Sequence, residues 1–91
     1  MIEVETVSSG DPYEFDVSVR EGGSATRHRV TLSEDTYREL TDGGPDPARV
    51  IEAAFQFLLD REPKESILSR FDVTVISRYF PEFEREIGDY L

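Results

Sequence analysis

A chain of 91 residues, of which 37% are hydrophobic, is sufficient for one folded domain with a single modest core. The absence of cysteine excludes disulfides, thiolate metal sites and thiol nucleophiles. Twenty acidic residues against ten basic ones give a net charge of −10. A field of this sign repels nucleic-acid phosphates and anionic lipids, so we expect neither as a partner.

The N-terminal third of the sequence alternates apolar and polar residues, the period of half-buried strands. Residues 2–6 predict a first strand, residues 13–20 a second, and residues 25–32 a third. The Gly22-Gly23 dipeptide between the last two readily adopts the positive φ angles of a tight hairpin turn. The sequence therefore predicts an antiparallel hairpin here.

A two-residue turn also fixes which residues of this hairpin face each other. On one face the predicted pairs are Val17 with His28, Phe15 with Val30, and Tyr13 with Leu32. On the other face they are Asp16 with Arg29, and Ser18 with Arg27. One register thus gives an apolar face and a charge-complementary face, as strand pairing requires.

Two helices are predicted after the hairpin. Ser33 is a good N-cap for the first, which the Gly43-Gly44 pair should end. Asp46 caps the second, which runs to about Asp60 and has a broad apolar face with only a narrow polar stripe. A helix with so little polar surface is predicted to lie at the centre of the core.

The remaining residues predict shorter helices. One passes through Ile67, Leu68 and Phe71, and the next begins at Asp72 and ends at Phe80-Pro81. A last helical repeat extends to Tyr90. Asp72 can cap the second of these helices, and Phe83, Ile87 and Tyr90 of the last one repeat at the helical spacing i, i+4 and i+7.

Strands therefore precede helices along the chain, an order typical of α+β domains. We predict a three-stranded antiparallel β-meander over residues 1–32, and four or so helices over residues 33–91 packed on one of its faces. Residues 1–91 form a single domain in this prediction.

No catalytic, cofactor or metal site is predicted. His28 is the only histidine, and the hairpin register turns it inward beside Val17 with no acid next to it. Glu82 and Glu86 share a helix face and are predicted to be solvated. The chain lacks calcium-loop, phosphate-loop and dinucleotide-binding motifs, so the sequence indicates a protein that is not an enzyme.

The first residues are acidic where a secretion signal would be basic, and no apolar run is long enough to span a membrane. We therefore expect a cytoplasmic protein without a membrane partner. Nine of the ten basic residues are Arg and one is Lys64. An acidic, Lys-poor composition suits a salt-rich cytoplasm, and GC-rich codon usage accounts for it equally well.

The stretch from Arg27 to Arg61, a strand followed by two helices, resembles the ribbon-helix-helix repressors. The resemblance implies a dimer whose paired strands enter the major groove of DNA, where Arg27, Arg29 and Thr31 would contact base edges. The predicted hairpin argues for a different role, because its strand already has a partner that places Asp16 opposite Arg29. DNA binding is therefore the alternative function.

A second resemblance covers the C-terminal half. The segments FLLDREPKESIL (57–68), FD (71–72) and ISRYFPEFE (76–84) are similar to a family of small prokaryotic proteins of unknown function. The resemblance implies that the chain is a natural, self-contained domain. It implies no activity and no site residue.

Seven of the ten aromatic residues lie between Phe55 and Tyr90, and most are expected in the core. Tyr79 and Phe80 are consecutive and cannot both face inward from one helix. We therefore predict an exposed patch whose composition is typical of protein interfaces, formed by Arg78, Tyr79, Pro81 and Glu82. The favoured function is a non-enzymatic protein-interaction or self-associating module that uses its C-terminal helices.

Overall fold

In a computed structural model that describes all 91 residues, a four-stranded sheet carries helices on one face. The strands are β1 (Ile2–Ser8), β2 (Tyr13–Glu21), β3 (Ser24–Leu32) and β4 (Arg70–Asp72). The helices are α1 (Glu34–Leu40), α2 (Pro47–Leu59), α3 (Thr74–Tyr79) and α4 (Phe83–Glu86), with 3₁₀ turns at Lys64–Ser66 and Ile87–Tyr90.

The hairpin of β2 and β3 has the predicted register. Val17 lies opposite His28, and Asp16 lies opposite Arg29 on the other face. Gly22 and Gly23 form the turn with φ angles of 62° and 81°, a conformation that other residues rarely adopt. β1 adds to the far edge of β2 in antiparallel orientation, which confirms the predicted meander.

The sheet also contains a fourth strand, so the prediction of three strands is incomplete. β4 pairs with β3 in parallel, with Arg70 beside Arg29. The helix predicted through Ile67, Leu68 and Phe71 is therefore wrong, because Phe71 belongs to this strand. A short apolar run has no periodicity long enough to distinguish helix from strand, and the free edge of β3 decides the outcome.

Helix α2 lies at the centre of the core, as its apolar face predicts. Seven of its thirteen residues are buried. Asp46 caps it, since its side chain accepts a hydrogen bond from the backbone N–H of Ala48, and Pro47 occupies the first turn. Ser33 caps α1 in the same way by accepting from the N–H of Thr36.

Two helix ends show how local sequence sets the boundaries. α1 ends at Leu40, before the Gly43-Gly44 pair, because the backbone of Thr41 is extended, and the Thr41 hydroxyl then donates to the Tyr37 carbonyl at the helix end. α3 ends at Tyr79 with Phe80 as its cap, as the following Pro81 predicts. Phe80 then turns toward the core while Tyr79 stays in solvent.

The core of 19 buried hydrophobic residues lies between the inner sheet face and the helices. The inner face supplies Phe15, Val17, Val30 and Leu32, all at most 1% exposed. The residues that alternate with these along β2 and β3 point to the outer face, and most of them are polar or charged, among them Asp16 and Arg29. All helices thus pack on one face, as predicted.

Candidate functional site

The C-terminal half of the chain forms an apolar groove of ≈ 210 Å³ between the end of α2, the segment that leads into β4, and α3. Eight of its ten lining residues are hydrophobic. We call it the C-terminal groove. Its buried and half-buried wall consists of Leu58, Ile67, Phe71, Val75, Ile76 and Phe80.

Two exposed side chains, Leu68 and Tyr79, complete the apolar lining of the groove. They are 46% and 68% exposed, respectively. Leu68 faces outward because the chain at Ile67 is extended, and successive extended residues point to opposite sides. Tyr79 faces outward because Phe80, the next residue, packs against the core.

His28 is buried, as the hairpin register predicts, and both of its ring nitrogens have hydrogen-bond partners. Its Nδ1 lies 2.7 Å from the carbonyl oxygen of Leu68, so Nδ1 carries the proton and donates. Nε2 then accepts from the Thr26 hydroxyl at 2.8 Å. The ring also packs against Phe55, with centroids 5.3 Å apart. His28 therefore fixes the backbone that presents Leu68 to the groove.

Replacing His28 with leucine should lower the free energy of unfolding by about 1–3 kcal/mol, because the partly buried Leu68 carbonyl loses its side-chain donor. Urea denaturation measures the loss. The backbone N–H of Val73, the residue after β4, donates to the carbonyl of Thr31 on β3, so its hydrogen exchange should report looser pairing of β4. Thr26→Val is the control, since it leaves the Leu68 contact intact and should cost less. Equal losses in both variants would contradict this role of His28.

Glu62 is one of the two polar residues lining the groove, and it is half-buried. No cationic nitrogen lies within 4.0 Å of its carboxylate, and burial raises the pKa of Glu62 above its ordinary value. The neighbouring cations are engaged elsewhere: Lys64 pairs with Glu65 at 2.7 Å, and Arg61 pairs with other carboxylates. The groove thus contains one unpaired acid.

The arginine at position 61 organises a separate cluster. Its Cζ lies 3.6 Å from the centroid of the Phe57 ring, while Nε contacts Glu82 at 3.2 Å and Nη2 contacts Glu86 at 2.7 Å. Tyr90 accepts from Arg61 at 3.4 Å and donates to Asp60. We call Arg61, Phe57, Glu82, Glu86 and Tyr90 the Arg61 cluster. Glu82 and Glu86 are therefore ion-paired, which corrects the expectation that both are free in solvent.

The four residues of the predicted patch lie in different surroundings. Arg78, Tyr79 and Pro81 are exposed, and Arg78 has no carboxylate within 4.0 Å. Only Tyr79 lines the C-terminal groove. Glu82 belongs to the Arg61 cluster.

Of the lining residues only Tyr79 was a predicted interface residue, and Leu68 and Glu62 are the most informative of those that the sequence analysis did not select. The predicted helix through Leu68 gave no reason to expect an exposed leucine. The lack of a partner at Glu62 depends on where the side chains of Arg61 and Lys64 point, which no local pattern shows.

The residues of the DNA-binding alternative lie on the outer face of the sheet. β3 pairs with β2 along its whole length, whereas on its other side β4 covers only Arg29–Thr31, so residues 24–28 have no strand partner on that edge. Arg29 pairs with Glu14 and Asp16, and the Thr31 hydroxyl donates to Asp72 at 2.5 Å. Of the three candidate contacts, only Arg27 is without a partner. These contacts favour a structural role for Arg29 and Thr31.

No group of three or more His, Asp or Glu side chains is arranged to hold a metal ion. None of the helices has the length and hydrophobicity needed to cross a bilayer. Comparison with known protein families, curated proteins and solved structures finds no match to this chain.

Proposed function

We propose that this domain is a non-enzymatic protein-interaction module whose C-terminal groove binds an apolar segment of a partner protein. The observation that carries the proposal is the presence of Leu68 and Tyr79, both exposed, on a groove with an apolar wall. The other large exposed hydrophobic residues are Met1, Val7 and Leu91, which line none of this groove. Exposed apolar surface that is concentrated around a concavity is typical of interaction sites.

The size of the groove supports a protein ligand. Pockets for small molecules enclose roughly 300–1,000 Å³. The ≈ 210 Å³ of the C-terminal groove is smaller, so it suits one or two side chains presented by a larger partner. Tyr79 is of the residue type that most often dominates binding energy at interfaces, and its rigid ring loses little entropy on binding.

A displayed library of random peptides, panned against the folded domain, tests the proposal with no assumption about the sequence of the partner. We expect enriched peptides whose dissociation constants rise about tenfold or more in Leu68→Ser and Tyr79→Ala, because each change removes an apolar contact from a desolvated interface. Isothermal titration calorimetry measures these constants.

Val7→Ser is the matched control. Val7 has the same 46% exposure as Leu68 but lies on β1, at the opposite edge of the sheet. This variant should bind every selected peptide as the wild type does. The proposal fails if no peptide is enriched, or if the selected peptides bind the Leu68 and Tyr79 variants with unchanged affinity.

A further inference from the structure

The C-terminal groove also has a chemical preference. We infer that its partner segment is basic, and that a Lys or Arg beside the apolar anchor pairs with the Glu62 carboxylate. The inference rests on the proposed function of the groove and names the class of partner: a cationic, amphipathic segment of another protein.

The first observation is that the domain leaves Glu62 without a cation although two cations are close in sequence. Arg61 points into the Arg61 cluster, and the buried Lys64 pairs with Glu65. A carboxylate against an apolar wall loses hydration, and the raised pKa of Glu62 reflects that loss. A cation supplied by a ligand would compensate for it at the moment of binding.

The second observation is the charge of the whole domain. At a net charge of −10, its field attracts basic segments and repels acidic ones. A second copy of the chain carries the same charge and is repelled. Its exposed apolar residues near the two ends, Met1 and Leu91, have the acids Glu3 and Asp89 close by in sequence. A second copy does offer exposed apolar side chains close to exposed bases, Leu68 near Arg70 and Tyr79 beside Arg78. Leu68 and Tyr79 line its own groove, however, so self-association there would bring two domains of the same charge together groove to groove.

The test is a double-mutant cycle on a peptide selected by the library. The wild type and Glu62→Gln are each titrated with a peptide that carries Lys or Arg beside its apolar anchor, and with the same peptide carrying Gln there. We expect Glu62→Gln to weaken the basic peptide about tenfold and to change binding of the neutral peptide less than about twofold. The preference for the basic peptide should also shrink as salt is added.

Glu39→Gln is the control for net charge. Glu39 is exposed on α1 and does not line the C-terminal groove, and its substitution removes the same unit of charge. We expect this variant to retain the preference for the basic peptide. Equal effects of the two substitutions would mean that only the overall field acts, which would overturn the pairing with Glu62.

A second readout needs no ligand. Because the pKa of Glu62 is raised in the folded state, its ionisation penalises folding. The penalty is absent below the unfolded pKa, grows as pH rises from the unfolded to the folded value, and is fully present above the folded value. The Glu62→Gln variant should therefore be at least as stable as the wild type at neutral pH. Substitutions at residues that serve binding often leave a protein equally or more stable. A clear loss of stability would reveal an internal partner for Glu62 and would overturn the inference.

The outcomes of the library separate this inference from the proposed function. If no selected peptide depends on Leu68 and Tyr79, the two fail together. If the selected peptides depend on the groove but are neutral or acidic, and Glu62→Gln binds them equally well, the proposed function stands and the basic partner is excluded. Self-association that Leu68→Ser abolishes would assign the groove to a second copy, and would also overturn the inference.

Discussion

Replacing Phe57 with alanine is expected to lower the free energy of unfolding by about 3–5 kcal/mol. Phe57 is fully buried, and its ring makes edge-to-face contacts with Phe80, Phe83 and Tyr90 beneath the Arg61 guanidinium. Alanine would leave a cavity where these rings meet α2. A domain of this length has a total stability of roughly 5–14 kcal/mol, so the variant should be marginal at 37 °C. Urea denaturation followed by circular dichroism measures the change.

Phe57→Leu separates packing from the cation–π contact. Leucine fills most of the volume but presents no ring to Arg61, so we expect a loss of about 1–2 kcal/mol. For either substitution, hydrogen exchange should show a larger loss of amide protection in residues 80–90 than in the rest of the chain. A uniform loss of protection, or a Phe57→Leu variant as stable as the wild type, would show that the ring contacts do not hold this segment in place.

Arg61→Ala is expected to lower the free energy of unfolding by about 1–3 kcal/mol, because Glu82 and Glu86 would lose the cation that they share and their two negative charges would be uncompensated. The lower part of this range reflects partial solvation, since the Arg61 side chain is 21% exposed. Arg61→Lys keeps the charge but lacks the planar fork that reaches two carboxylates while stacking on Phe57, so it should recover only part of the loss. Chemical denaturation of both variants measures these differences.

The cost of Arg61→Ala should also depend on pH. The pKa of Glu82 is held below its usual range by its backbone N–H and by Arg61. A depressed pKa stabilises the fold above the unfolded value, and this contribution is lost as pH falls through the folded value. The advantage of the wild type over Arg61→Ala should therefore shrink on acidification below about pH 4. A difference that is constant across this range would contradict the ion pairs.

The hairpin was predictable to the residue because three independent signals agree. Gly22-Gly23 sets the turn, the apolar residues of both strands fall on one face, and Asp16 meets Arg29 on the other. The start of α2 was equally clear, since Asp46 and its following proline form a local cap. Each of these patterns lies within one short stretch of sequence, and its outcome does not depend on contacts with the rest of the fold.

β4 and the C-terminal groove depend on contacts between distant residues. Arg70–Asp72 is a strand only because β3 offers it an edge, and nothing within those three residues requires it. The exposure of Tyr79 was predictable from its position beside Phe80. The exposure of Leu68 was not, because it depends on how His28 of β3 holds the Leu68 carbonyl. The isolation of Glu62 was not either, because it depends on Arg61 and Lys64 pairing with other carboxylates.

The parallel pairing of β3 with β4 has a consequence for the order of folding. The hairpin closes a two-residue loop, whereas Thr31 and Asp72 meet across 41 residues of chain. Closing the longer loop costs more chain entropy. Because α2 lies within that loop, the pairing of β4 with β3 depends on α2 having packed against the sheet. We therefore expect the part of the groove wall next to β4 to assemble late and to be among the first parts to open. A segment bound there would stabilise the pairing of β4 with β3, because it binds only the state in which the groove is formed.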